Sequence, residues 1–204
     1  MSFVWDYTLL HNRLIGFCMR LEKECRAQVE PDSRGLWISA LGVIILADAS
    51  LEIGIHHKIE TSLPPREIAD PLRSLFRFVR LSLWKRKPPL GKLEELARIL
   101  GVSVDWKAEP WRSARDLHTL RNALAHFEAD AMSSDHPDAE LFPRRSQLEP
   151  IAQRIGTADR ITNGWLTAFL NPICATWAYN AADAALRELD ERPGPWNVAL
   201  SFYG

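Results

Sequence analysis

Three side chains able to handle a phosphate lie close together in LHTLRNALAHFEAD, residues 117–130: Arg121, Asn122 and His126. A histidine that titrates near neutral pH can take or give a proton, and an arginine fork stabilises charge on phosphate oxygens. An asparagine can orient the imidazole or donate to a substrate, so the set suits phosphodiester cleavage without a metal. Helical spacing decides whether these groups can meet. With Leu124 at zero, Arg121 falls at about 60°, His118 at about 120°, Asn122 at about 160° and His126 at about 200°. His118, Asn122 and His126 therefore form a ladder at i, i+4 and i+8. Leu117, Leu120, Leu124 and Phe127 form the opposing apolar stripe. Ala125 and Ala129 beside the ladder leave room for another helix or a ligand. The ladder is either polar decoration on a structural helix or a site.

The chain around it reads as helices punctuated by proline and glycine. Apolar periodicity and breakers predict core helices over residues 3–29, 33–59, 64–86, 110–131 and 171–189. The third is expected to bend at Pro71. Short helices are predicted at KLEELARIL, closed by Gly101, and near residues 147–155. Asn171-Pro172 supplies a cap and first-turn signal for the last long helix. Alternating β-branched runs and hairpin turns are almost absent. The expectation is one all-α domain over residues 1–204, an up-and-down bundle with short helical insertions. LWISALGVIILA, apolar almost all round, marks the second helix as central to that bundle. The run stops at Asp48 after twelve residues, which suits a core helix rather than a membrane span.

Composition narrows the class further. With 204 residues, 47% of them hydrophobic, the chain can bury a core without metals or disulfides. Cys18, Cys25 and Cys174 are an odd count with no CxxC pair, so they read as core filler in a reducing cytoplasm. No basic-then-apolar leader opens the sequence. His56 and His57 point about 100° apart on a helix and do not make a metal pair. No metal and no cofactor is expected. The tryptophans are read as fillers of helix crossings or of a dimer interface.

A net charge of −1 excludes a global nucleic-acid footprint, so any basic surface must be local. Residues 66–92 provide one, with eight basic side chains against Glu67 and Asp70. Arg73, Arg77 and Arg80 follow i, i+4 and i+7, and Trp84 continues their face. That row could hold an RNA backbone with one stacked base, or it is a solvated face paired with acids elsewhere.

The stretch LRNALAHF resembles the signature of the HEPN superfamily, small all-helical domains of toxin–antitoxin, phage-defence and RNA-processing systems. That signature is an Arg, a polar residue and, a few residues later, a His, which Arg121, Asn122 and His126 match. Members also carry an acidic or polar residue on an earlier core helix. LADASLEIGI offers Glu52, with Asp48 one turn before it, and Arg121 is the expected partner of Glu52. The resemblance implies a homodimeric bundle in which two motifs face one cleft. It also implies a metal-independent endoribonuclease that uses the RNA 2′-hydroxyl as nucleophile. His126 would then be general base or acid and Arg121 the phosphate stabiliser. Asn122 would position substrate or histidine, with Glu52 and His118 in support. The partners implied are RNA, a second copy and a cognate antitoxin protein. The alternative is an inert HEPN-like module that binds RNA or a protein partner, or a purely structural ladder.

Overall fold

The computed structural model describes residues 7–27, 34–62, 87–125, 145–163 and 165–190, and the description that follows concerns these. They are almost entirely helical, with no strand among them. Seven α-helices follow in order: α1 (Tyr7–Ala27), α2 (Arg34–Ser62), α3 (Pro89–Leu100), α4 (Trp111–Ala125), α5 (Arg145–Ile155), α6 (Trp165–Phe169) and α7 (Pro172–Asp190). A 3₁₀ turn, Ala158–Asn163, lies between α5 and α6. Neither this turn nor α6 was signalled by the periodicity, because each is too short to show a repeat. The predicted third helix, including Pro71, Arg73, Arg77, Arg80 and Trp84, lies outside the described residues. So do residues 126–144, which include His126.

Helix α2 is the centre of the packing, touching α1, α3, α4 and α7. Leu36, Ala40, Val43, Ile44, Ala47, Leu51 and Ile55 are all buried; apart from the adjacent Val43 and Ile44 they follow steps of three and four, which keeps them on one broad face. The remaining face is apolar too, yet open: Ile38 is 70% exposed. Residues Gly35–Ile55, with mean hydropathy 1.9, are long and apolar enough to cross a membrane by length and composition alone. Counting only the unbroken run to Ala47 understated that length. Half of the stretch is buried in the fold.

Helix α7 fits against α2 because its inner face is small. Cys174, Ala175, Ala178, Ala181, Ala182 and Ala185 are buried there, letting the two backbones approach closely. Glu22 of α1, also buried, accepts a 2.6 Å hydrogen bond from Thr176 Oγ1 and ties the third member of this layer. All three cysteines are free and buried. Burial, reinforced by the charge of Glu22, pushes the Cys18 thiol up to about 12 and that of Cys25 to about 11.

Local signals fix the Gly101 stop and the Asn171-Pro172 start as expected, whereas α3 begins at Pro89, before the predicted KLEELARIL. Helix α3 opens with Pro89 in its first turn and stops at Gly101, whose φ of 70° is left-handed. The Val102 N–H then returns to Ala97 O at 2.8 Å, satisfying a terminal carbonyl. Asn171 does more than cap. Its Oδ1 accepts from Cys174 N–H at 3.0 Å at the start of α7. Its Nδ2 donates to the carbonyls of Thr167 and Ala168 at 3.0 and 2.9 Å, closing the end of α6. One buried amide thus satisfies donors and acceptors of two helix termini.

Asn171→Ala is expected to cost about 2 kcal/mol, the upper end of the range for a lost cap. Asn171→Asp keeps the acceptor but turns a buried carboxylate oxygen onto the Thr167 and Ala168 carbonyls, so its urea midpoint should be no higher than that of the alanine variant. The thiols give a second check on packing. A thiol-specific chromogenic reagent should find no rapidly reacting cysteine in the folded protein and all three after denaturation in guanidinium.

Candidate functional site

Helix α4 carries the site, and its inner stripe holds it down. Ala114, Leu117 and Leu120 are fully buried, Trp111 and Ala123 nearly so, and Leu124 packs at the edge of the core. With that stripe fixed, His118 and Arg121 stand on the side that meets α2. Opposite them is Asp48, 4% exposed and surrounded by the apolar residues of the central helix. A carboxylate so placed must be paired, and α4 supplies both partners.

Four side chains close a ring. His118 Nδ1 lies 3.1 Å from Asp48 Oδ1, and Arg121 Nε lies 3.5 Å from Asp48 Oδ2. Arg121 Nη1 donates to Asn122 Oδ1 at 2.8 Å, and Asn122 Nδ2 lies 3.0 Å from His118 Nε2. The donors and acceptors permit one arrangement. Arginine has no acceptor, so Asn122 must turn its oxygen toward Arg121. Its amide nitrogen then faces His118 Nε2, which must accept. The imidazole proton therefore sits on Nδ1 and is donated to Asp48. The i, i+3 and i, i+4 spacings of His118, Arg121 and Asn122 make this geometry possible on a single helix.

The ring sorts the residues by what remains available. Both nitrogens of His118 are used, so it holds its neighbours in place. Arg121 is held along two edges, while Nη2 makes no hydrogen bond among the described residues. Its side chain is 34% exposed, and Nη2 keeps its donors for a further acceptor such as a phosphate oxygen.

Glu52 is placed differently from the sequence expectation. It accepts from Lys92 Nζ of α3 at 3.1 Å, whereas the ion pair of Arg121 is with Asp48, one turn earlier. The physical reason is which part of α2 each helix crosses: α4 meets it at Asp48 and α3 at Glu52. Asp48 carried a legible signal, since Ile44, Ala47 and Leu51 at i−4, i−1 and i+3 are all apolar and buried. The two described basic residues of 66–92 are both engaged by acids, Lys92 by Glu52 and Lys87 by Glu95 at 3.3 Å. Arg73, Arg77, Arg80, Trp84 and His126 lie outside the described residues. Among the described residues no three or more His, Cys, Asp or Glu side chains are grouped to hold a metal.

Comparison with family models, with curated proteins and with solved structures finds no match to this chain.

Replacing Asp48 by Asn removes the buried charge and leaves one of its two donors facing an amide N–H, whereas Gln at position 52 keeps an acceptor for Lys92, whose side chain is 10% exposed. Asp48→Asn should therefore lower unfolding free energy by about 2–3 kcal/mol, and Glu52→Gln by less, both read by urea denaturation. Nitrogen-15 spectra of the wild-type imidazole should show His118 protonated at Nδ1. A proton on Nε2 in the neutral ring would rule out the donor order given above.

Proposed function

We propose that this chain is a HEPN-like helical bundle acting as a metal-independent endoribonuclease of toxin or phage-defence type. The observation that carries the reading is the closed ring. It fixes Arg121 and Asn122 in orientation while Arg121 Nη2 makes no hydrogen bond among the described residues. In this reading a general base takes the proton of the RNA 2′-hydroxyl as O2′ bonds to phosphorus. The bond from phosphorus to O5′ breaks, and a general acid protonates the departing oxygen. The products are a 2′,3′-cyclic phosphate and a 5′-hydroxyl, with no change in oxidation state. His126 serves as base or acid, and Arg121 balances the charge that develops on the non-bridging oxygens.

Asn122 orients Arg121 and, through His118, is itself held to Asp48. A second copy of the chain completes the cleft by bringing a second motif to face the first. A cognate antitoxin protein masks that cleft in the cytoplasm. The ring also supports a second reading. Arg121 already has a carboxylate partner, so the same residues could act as a structural tie in an inert module that binds RNA or a protein.

Cleavage of RNA in the presence of EDTA separates the two. Wild type should cut, and Arg121→Ala and His126→Ala should each lose about 10²-fold or more in rate. If wild type leaves RNA intact, or if all three proteins cut equally, the enzyme reading is lost and the inert module stands. Growth arrest on expression, relieved by His126→Ala, would be the cellular counterpart.

A further inference from the structure

On the other flank of α4 a second carboxylate gathers two arginines. Asp116 is 5% exposed. Its Oδ1 accepts from Arg115 Nη2 at 3.4 Å, and its Oδ2 accepts from Arg154 of α5. One guanidinium suffices to neutralise one carboxylate, so the trio keeps a net positive charge. Both arginine side chains remain open, Arg115 at 40% and Arg154 at 36%. The neighbouring arginines lack this excess. Arg112 is matched by Glu109, and Arg187 on α7 by Asp183.

Within the trio, Arg115 shares a ridge with Asn122, while Arg121 lies about 120° further round the helix. Arg115 precedes Asn122 by seven residues, which places it within about 20° around the axis and about 10 Å away along it. Thr119 lies between them, its hydroxyl turned back onto Arg115 O at 2.9 Å, so no charge interrupts the ridge. The buried acid holds both guanidinium groups in place before any ligand arrives, which reduces the ordering cost of binding.

We propose that Arg115 and Arg154, held on Asp116, form a second phosphate-binding site that grips the RNA backbone on the Asn122 side of the site. The proposal rests on RNA being the ligand, as in the reading above, and it requires binding but not cleavage. It is tested with a fluorescein-labelled, single-stranded 2′-O-methyl oligoribonucleotide, which keeps every phosphate and lacks the attacking hydroxyl. Binding is followed by anisotropy across a salt series. Each phosphate contact to a single strand contributes about 0.7 to the slope of log K against log salt.

Arg115→Gln leaves the Arg154–Asp116 pair intact and should lower that slope by about 0.7 while weakening binding. Arg187→Gln, an equal loss of charge elsewhere, should leave the slope unchanged. With cleavable RNA, Arg115→Gln should raise KM and spare kcat. If Arg115→Gln binds with the wild-type slope and affinity, the site is refuted even where wild type cleaves RNA. If the oligonucleotide does not bind wild type at all, the site is refuted as well. If binding depends on Arg115 while wild type cuts nothing, the site stands and the ribonuclease reading falls.

Discussion

Burying a carboxylate in an apolar helix is costly unless its charge is matched at once, and Asp48 sets that condition at the middle of α2. The rest of the described structure is arranged so that the condition is met. The leucine stripe of α4 brings that helix onto α2 in a rotation that turns His118 and Arg121 toward the acid. A shift of one residue in that rotation would put Leu117 in place of His118 and leave Asp48 unpaired. Core packing and charge pairing therefore select the same docking of the two helices. Asn122 is drawn in last, as the group whose amide can serve a donor-only arginine and an accepting imidazole together.

The same device appears twice more with different consequences. Asp116 fastens α5 to α4 through Arg154, and Asn171 fastens α6 to α7 through its amide. Each is a buried polar group whose hydrogen bonds run to a separate element, so each fixes geometry that apolar contacts alone would leave adjustable. They differ in what is left over. Asn171 is fully used inside the fold. The Asp48 ring leaves Arg121 Nη2 unused among the described residues, and the Asp116 trio leaves excess charge.

Much of this was legible from residue types and spacing. The stripe Leu117, Leu120 and Leu124, the Gly101 stop and the Asn171-Pro172 start are local patterns, decided by helical repeat and backbone chemistry within a few residues. The i, i+4 relation of His118 and Asn122 was equally local, and it became a hydrogen bond. The openness of Ile38 was not legible, because an apolar run looks the same whether or not a neighbour covers every side of it. The 3₁₀ turn and α6 were also hidden, being shorter than the repeat that would reveal them.

By itself, then, the sequence determined the all-α class, the helix boundaries near their caps, and the set of polar side chains sharing one face of α4. Tertiary structure alone decided which acid they serve. Asp48 and Glu52 are one turn apart on the same helix, and either could have met Arg121 as judged from the sequence. The choice depended on where α3 and α4 cross α2, which is set by side-chain packing between residues far apart in the chain. Asp48 went to α4 and Glu52 to Lys92 of α3 because each crossing helix can match only the charge it covers.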